Sequence, residues 1–345
     1  MENALFNYTE DTDGIEPDDI EDIDTDIILT IQFFNISFLS IAFILGITGN
    51  GLLIWIAGFK MKKTVTVLWF LNLAIADFVF DIIFPIRITK LIMDEHWPFG
   101  QTMCKLVITI QLLNMSVSTS FLMIISIDRC MSVMCPVWSK NNRSPRLALT
   151  ISVSIWLICF ILTSPYIAFL KIDQDSESGL SYCMPIYDDK DINIDIMRHR
   201  AMIIVRFVFM FLVPFPIILI CYSLMVVRLR RNKSLSRSNR PLKVIITIVL
   251  CFFCLWFPYH MWNLLEVLNV EIDPTTYEVI YSLVNCIGFF NSCVNPIVYV
   301  FVGRDFKKSL FRSIPFLLEN TFKEKDDSNT DPRINQSMIE TVMES

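Results

Sequence analysis

Two charged residues, Asp77 and Arg206, mark positions inside long apolar stretches where a charge needs a partner or a function. Asp77 lies near the middle of the apolar run at 66–93, and Arg206 lies in the run at 200–231. An acid buried in a bilayer costs on the order of 2.5–3.5 kcal/mol even on lenient insertion scales. An unpaired guanidinium is also costly there, and it can bind a carboxylate with two parallel hydrogen bonds. Each residue therefore marks a candidate binding site.

Polar residues that could surround Asp77 lie in two other apolar runs: Asn114, Ser118, Asn291, Ser292 and Asn295. Asn114 and Ser118 are four residues apart and share one helix face. Oxygen atoms of this kind suit a small hard cation and water, so we expect an allosteric sodium ion at Asp77. A hydrogen-bond network that holds water without an ion stays open, and so does an ion or proton transporter.

The elements that must position these residues are membrane helices. Apolar residues make up 54% of the chain and charged residues only 19%, which indicates a polytopic membrane protein. A helix needs roughly 20 apolar residues to cross the hydrocarbon core. Seven runs reach that length: 30–58, 66–93, 101–135, 146–170, 200–231, 241–268 and 276–302. We therefore predict an all-α membrane protein with a seven-transmembrane helix bundle at 30–302.

Basic residues cluster in alternate connections, which sets the orientation because Lys and Arg accumulate on the cytoplasmic side. They follow the first and third runs and fill the link between the fifth and sixth. The segment 1–29 holds eleven Asp and Glu and no Lys or Arg. We expect this acidic tail to be extracellular, the C-terminus to be cytoplasmic, and the protein to lie in the plasma membrane.

Cysteine positions provide an independent check, because disulfides persist only on the oxidising side of a membrane. Of ten Cys, only Cys104 and Cys183 fall on the predicted outer side. We predict that they form a disulfide, although two free thiols are the alternative. Asn7 in the outer tail is a candidate glycosylation site, and Asn35 lies too close to the membrane to assign.

The C-terminal segment contains no further membrane span. Residues 303–314 carry basic residues together with Phe306, Leu310 and Phe311 at helical spacing, which predicts a short amphipathic helix on the lipid surface. The polar composition of 315–345 predicts a disordered cytoplasmic tail.

Motifs along the seven runs resemble the rhodopsin-like G-protein-coupled receptors over about residues 30–312. They match in order and in the expected helices, and the resemblance identifies the chain as a member of that family. The matching residues are Gly49 and Asn50; Leu73 to Asp77; Asp128, Arg129 and Cys130; Trp156; Pro214 and Tyr222; Phe252, Trp256 and Pro258; and Asn295 to Tyr299.

The resemblance implies a switch for signalling to a heterotrimeric G protein. Asp128 would hold Arg129 in the inactive state, and Arg129 would then turn toward the G protein. Pro258 would bend the sixth span beneath the pivot Trp256, next to Phe252. Pro296 would bend the seventh and let Tyr299 swing toward Tyr222 and Arg129. Outward movement of the sixth span would then open a cytoplasmic cleft.

Further stretches resemble the chemoattractant receptors, the group with chemerin, formyl-peptide and complement anaphylatoxin receptors, and most closely the chemerin type. They include Phe59 to Val65, His96 to Gly100, Pro136 to Ser139 and Trp256 to His260. The resemblance implies a chemoattractant or adipokine-type peptide or small protein as ligand and an inhibitory-type G protein as partner. Phosphorylation at Ser328, Thr330 or Ser337 would recruit arrestin.

Arg206 is similarly placed in formyl-peptide and anaphylatoxin receptors, where it meets polar groups of the ligand. We expect it to bind the C-terminal carboxylate of the ligand. Internal pairing of Arg206 with Asp81 or Glu266 is the alternative. The residues expected to line the same pocket are Arg87, Tyr259, His260, Asn263 and Tyr281.

The acidic tail should attract a basic region of the ligand and raise its association rate, unless it is only a solubilising extension. A scavenging receptor that internalises its ligand without coupling is the main alternative function. The lack of internal repeats argues against a transporter. His96, His199 and His260 lack metal-ligand spacing, so we expect no enzyme activity, no cofactor apart from sodium and no nucleic-acid partner.

Overall fold

The computed structural model describes residues 17–175, 179–188, 190–231, 240–268, 270 and 272–302. These residues form seven helical spans, several of which are built from two helices. The helices are α1 (Pro17–Trp55), α2 (Val65–Asp81), α3 (Phe84–Ile92), α4 (Gly100–Met134), α5 (Pro136–Asn142), α6 (Pro145–Phe169), α7 (Ile192–Phe207), α8 (Pro214–Arg231), α9 (Arg240–Val267), α10 (Pro274–Phe289) and α11 (Asn291–Val302).

The spans in chain order are α1, α2 with α3, α4, α6, α7 with α8, α9, and α10 with α11; α5 lies between the third and fourth. In the described part of the chain, five of them, from the first to the fifth, are long and apolar enough to cross a membrane. Large apolar side chains such as Phe33 and Ile161 are about two-thirds exposed on the outer faces. Polar side chains such as Asp77 and Ser118 are fully buried between the spans. This inside-out distribution suits a lipid environment and confirms the predicted bundle.

The first and fifth spans begin earlier than their apolar runs. Helix α1 starts at Pro17, within the acidic segment, and α7 starts at Ile192, where the Asp191 side chain accepts hydrogen bonds from the next turn. A carboxylate at a helix N-terminus satisfies backbone N–H groups that would otherwise lack partners. The two spans therefore extend beyond the apolar residues that identified them.

Three spans are interrupted, two of them next to a proline. The second breaks at Ile82 and Ile83, just before Pro85, and the fifth contains a π turn at Val208–Leu212 before Pro214. The seventh breaks at Phe290, whereas α9 and α11 continue through Pro258 and Pro296. Because proline cannot donate a backbone hydrogen bond, the chain adjusts its helical pitch in the turn that precedes it.

Pro296 explains the Gly-Asn motif of the first span. Without an N–H at position 296, the Ser292 carbonyl loses its helical donor. The Asn50 side chain supplies one, since its Nδ2 lies 3.0 Å from the Ser292 oxygen. A Cβ on Gly49 would lie 2.7 Å from the Pro296 ring, so glycine there permits the close approach of α1 and α11.

A two-stranded antiparallel sheet caps one end of the bundle. Strands β1 (Leu170–Gln174) and β2 (Ser181–Pro185) pair Ile172 with Cys183. Cys183 forms the predicted disulfide with Cys104 at the start of α4, and Gln101 donates to the Leu170 carbonyl at 2.6 Å. We call this end of the molecule the hairpin end and the opposite end the Arg129 end.

Several predicted features lie outside the described residues. These are the glycosylation site Asn7, the amphipathic segment 303–314, the tail 315–345, and the phosphorylation sites Ser328, Thr330 and Ser337. Asn35 is described, and it is only 2% exposed. Its amide donates to Ser282 and accepts a bond from the Cys286 thiol, so this buried position has no room for a glycan.

Candidate functional site

Arg206 lies in the last turn of α7 and is held by two residues of α9. Its Nη2 donates to Asn263 Oδ1 at 2.6 Å, and its guanidinium lies 5.3 Å from the centre of the Tyr259 ring. Asn263 in turn donates to the Tyr259 carbonyl at 2.6 Å, which fixes the amide oxygen toward Arg206. A neutral amide and an aromatic face position the cation but leave its charge uncompensated.

Neither acid considered as an internal partner contacts Arg206. Glu266 pairs with His199, whose Nε2 lies 2.9 Å from the carboxylate, and Asp81 accepts from Asn50 at 3.0 Å. Among the described residues, no carboxylate forms an ion pair with Arg206. The guanidinium is therefore free to bind an acidic group that enters the bundle.

A second guanidinium, Arg87, is built into α3 one turn after the break in the second span. It donates to Gln111 of α4 and lies 4.6 Å from the centre of the Phe289 ring of α10. Its Nε is buried and has no hydrogen-bond partner in the described structure. Like Arg206, Arg87 is half-buried and lacks a carboxylate partner.

The remaining predicted pocket residues occupy different depths. Tyr281 is 46% exposed and stacks on Tyr277 at 6.0 Å, so it is accessible at the hairpin end. His260 is only 2% exposed, and its ring packs 5.1 Å from that of Phe211. His260 therefore lies in the aromatic packing behind Tyr259 rather than on an open surface.

The hairpin is tied to the rim by neighbouring loops. The Ser181 carbonyl accepts from the Trp97 backbone N–H at 2.7 Å, and the Ser181 N–H donates to His96 Nδ1 at 3.0 Å. Near its other edge, backbone N–H groups of Lys190 and Asp191 bond Asp188 and lower the pKa of its carboxyl. Asp188 is therefore ionised at neutral pH and contributes negative charge to this rim.

Asp77 is bonded to some, but not all, of the polar residues that were predicted to surround it. Its Oδ1 accepts from Asn114 at 3.0 Å and Ser118 at 3.4 Å, and its Oδ2 accepts from Asn295 at 2.6 Å. Asn291 and Ser292 are buried nearby in span seven but do not bond Asp77. The structure thus brings three of the five predicted partners onto this carboxylate, and oxygen-rich groups of this kind suit a small cation.

A second buried acid, Asp81, was considered only as a partner for Arg206. It is fully buried, and Gly46 of α1 leaves the space for its carboxylate, because a Cβ on Gly46 would lie 2.5 Å away. Asp81 Oδ1 and Asn50 Oδ1 are both buried without a hydrogen-bond partner among the described residues. The spacing of four from Asp77 was the signal that could have placed Asp81 on the same interior face.

At the Arg129 end, Asp128 has a stronger partner than the adjacent arginine. Arg143, which follows α5, donates to both Asp128 oxygens, at 2.7 and 2.8 Å. Arg129 Nε lies 3.9 Å from Asp128, and its Nη2 donates to Thr66 instead. Thr66 also accepts from Arg143 at 2.8 Å, so one hydroxyl and one carboxylate connect the two arginines.

The other predicted switch residues lie between the Arg129 end and Tyr259. Tyr222 accepts from Ser126 at 3.3 Å, which joins spans three and five. Trp256 is 1% exposed and packs against Phe252 and Tyr259. A Cβ on Gly288 would lie 3.0 Å from the Trp256 ring, so span seven approaches it closely. Tyr299 lies in α11, and its side chain is outside the described structure.

Comparison with known proteins covers most of the chain. The family model described as 7 transmembrane receptor (rhodopsin family) matches residues 49–299. Chemerin-like receptor 1 of Homo sapiens is 43% identical over 288 residues, which cover 80% of this chain and 77% of that protein. N-formyl peptide receptor 3 of Homo sapiens is 37% identical over 316 residues, which cover 87% and 89% of the two chains.

Proposed function

Because the chain belongs to the rhodopsin family of seven-transmembrane receptors, as its motifs predicted, we propose that it is a plasma-membrane receptor for a chemoattractant or adipokine-type peptide or small protein. In this proposal the hairpin end and the acidic tail are extracellular, and the Arg129 end is cytoplasmic. Similarity to chemerin-like and formyl-peptide receptors supports the ligand class. The distribution of Lys and Arg supports the orientation.

The observation that carries this proposal is the uncompensated guanidinium of Arg206 below the hairpin. Its contacts are the neutral amide of Asn263 and the face of Tyr259, and the carboxylate of Glu266 is bonded to His199 instead. A free C-terminal carboxylate would supply the missing charge and could accept two parallel hydrogen bonds. A basic region of the same ligand would bind the acidic tail and rim.

In this proposal the signal passes from the ligand site through α9 to the Arg129 end. A ligand that contacts Tyr259 would shift the Trp256 ring, since the two ring centres are 5.5 Å apart. Movement of α9 would open a cleft next to Arg129, which an inhibitory-type G protein would enter. A sodium ion at Asp77 would stabilise the inactive packing, and phosphorylation of the C-terminal tail would recruit arrestin.

A nucleotide-exchange assay tests the signalling role. The full chain is expressed in membranes and challenged with chemerin, a formyl peptide and an anaphylatoxin peptide in the presence of different G proteins. We expect exchange on an inhibitory-type G protein with one ligand, and loss of exchange but not of ligand binding in Arg129→Gln. Uptake of a ligand without exchange on any G protein would establish the scavenging alternative instead.

A second experiment tests the role of Arg206. Binding of the free-acid and amidated forms of the active peptide is compared for Arg206→Ala and for Arg198→Ala, a rim arginine paired with Asp188. Removal of a buried charged partner costs about 2–5 kcal/mol, so the free acid should lose that affinity in Arg206→Ala and the amide much less. An equal loss for both forms would exclude carboxylate recognition.

A further inference from the structure

We propose that Arg87 forms a second anion subsite, so that the pocket at the hairpin end takes a ligand segment with two acidic groups. One group would bind Arg206 and the other Arg87. The inference deepens the proposed ligand site and rests on it, because it assumes that the ligand enters from the hairpin end.

The two guanidinium groups are held in the same way by different spans. Arg206 donates to the amide oxygen of Asn263 and lies over Tyr259. Arg87 donates to the amide oxygen of Gln111 and lies over Phe289. In each case a neutral acceptor and an aromatic face fix the plane of the cation and leave donors unused, since a guanidinium carries five N–H groups.

The charge of Arg87 is also uncompensated. Asp94 and Glu95, the two acids that follow α3, are bonded to Gln32 and Lys90, and Asp81 is bonded to Asn50. The buried Nε of Arg87 has no partner in the described structure. A buried, undersatisfied cation is a substantial energetic cost in a membrane protein, and a bound anion removes that cost.

Tyr259 connects the two subsites. Its ring lies against Arg206 and packs 5.5 Å from that of Trp256. Gly288 of α10 approaches the Trp256 ring, and the next residue, Phe289, is the one that Arg87 lies over. Tyr281, the exposed tyrosine of α10, lies two turns before Phe289 on the same helix. Contacts among spans two, five, six and seven therefore connect the two positive charges through Tyr259 and the aromatic residues beside it.

The chemistry of this space favours two carboxylates on one short segment. A single carboxylate would neutralise one guanidinium and leave the second undersatisfied. A peptide end provides both groups when an Asp or Glu side chain lies close to the free carboxyl terminus. A free aliphatic dicarboxylate offers the same chemistry from a different source, and the experiment separates the two.

The test measures thermal unfolding of the purified full-length receptor with aliphatic dicarboxylates of increasing length, from glutarate to suberate, and with monocarboxylates of the same length. We expect one dicarboxylate to stabilise the receptor at roughly tenfold lower concentration than its monocarboxylate. Arg87→Gln and Arg206→Gln should each abolish that advantage. Arg198→Gln, which removes a rim charge that is paired with Asp188, should preserve it.

A second arm uses short peptides with a free carboxyl end that differ only in Glu or Gln at the preceding residue. An Arg87-dependent preference for Glu supports a peptide source, and a preference seen only with free dicarboxylates supports a small-molecule source. The proposal is overturned if neither arm shows a preference, or if the preference survives in Arg87→Gln. Should that variant not fold, Arg87→Lys must weaken the preference, because lysine lacks the planar fork.

These readouts need no G protein, so they are independent of the proposed signalling role. A receptor that prefers dicarboxylates but never promotes nucleotide exchange would contradict the signalling role and retain the anion subsite. A receptor that promotes exchange but shows no Arg87-dependent preference would support the signalling role and exclude the anion subsite.

Discussion

Asp77 and Asp81 show how differently two acids on one face of α2 can be accommodated. Asp77 accepts three hydrogen bonds from spans three and seven. Asp81 has one oxygen bonded to Asn50 and another buried without a partner. A buried acceptor left unsatisfied costs about 1–3 kcal/mol, so Asp81 carries a penalty that the hydrogen bonds of Asp77 avoid.

The same substitution should therefore have different effects at the two positions. Asp81→Asn removes a buried charge, and its new N–H groups can donate to the unpartnered Asn50 oxygen. We expect the receptor to gain about 1–3 kcal/mol, measured as a higher midpoint of thermal unfolding in detergent. Asp77→Asn is the matched control and should give no gain, because its new amide would face the donor of Asn295. Equal stabilisation by both variants would refute this explanation.

Arg143 governs the pairing of the Asp-Arg motif in this chain. It occupies both oxygens of Asp128, whereas Arg129 Nε remains 3.9 Å from that carboxylate. Two cations therefore compete for one anion at the end of α4.

Removal of Arg143 should let Asp128 bind Arg129 more tightly. We expect Arg143→Gln to lower ligand-independent nucleotide exchange about two- to fivefold, whereas Asp128→Asn should raise it. An ion-pair change of about 0.5–1 kcal/mol gives effects of this size at a partly exposed site. Lys140→Gln, in the same connection, is the control. Higher basal exchange in Arg143→Gln would contradict the competition.

At the scale of helices, two glycines of α1 determine how closely it approaches its neighbours. Gly49 faces the Pro296 ring of α11, and Gly46 faces the Asp81 carboxylate of α2. Asn50, the residue after Gly49, bonds both Asp81 and the Ser292 carbonyl. Small residues allow membrane helices to pack closely, and polar side chains then link them.

Gly46→Ala should disrupt this contact. The new Cβ would lie 2.5 Å from the carboxylate of Asp81, and overpacking of a tight core typically costs about 1–3 kcal/mol. Gly58→Ala is the matched control, because nothing lies within 4 Å of its Cβ. Thermal unfolding of both variants, and of Gly46→Ala combined with Asp81→Ala, provides the measurement. A double variant no more stable than Gly46→Ala alone would show that Asp81 is not the obstacle.

At the scale of the whole molecule, negative charge is concentrated in the N-terminal segment. The first 30 residues carry eleven acids and no Lys or Arg, although the net charge of the complete sequence is only −6. Field effects of this kind act on association rates more than on dissociation rates. Salt screens them over about 8–10 Å at physiological ionic strength.

Neutralisation of the acidic tail should slow capture of a basic peptide ligand. Replacing Glu2, Glu10, Asp11, Asp13 and Glu16 with their amides should lower the association rate roughly tenfold at low salt and leave the dissociation rate nearly unchanged. The control replaces the same number of acids near the other end: Glu324, Asp326, Asp327, Asp331 and Glu340. An association rate that does not depend on salt would identify the tail as a solubilising extension.

The sequence by itself determined the bundle, the disulfide and the family. The length of the apolar runs, the charge of the loops and the side of the membrane on which each cysteine falls are local or compositional properties. They can therefore be predicted without knowledge of helix packing. It also identified Asp77 and Arg206 as residues that need partners, because an isolated charge in an apolar run is unusual wherever the helix later packs.

Only the tertiary structure decided which partners those charges have. Asn263 rather than Asp81 or Glu266 contacts Arg206, Arg143 rather than Arg129 holds Asp128 most closely, and Asp81 rests against Gly46. These contacts join different spans. They depend on the rotation and separation of helices, which the breaks before Pro85 and Pro214 and at Phe290 alter by amounts that apolar periodicity does not encode.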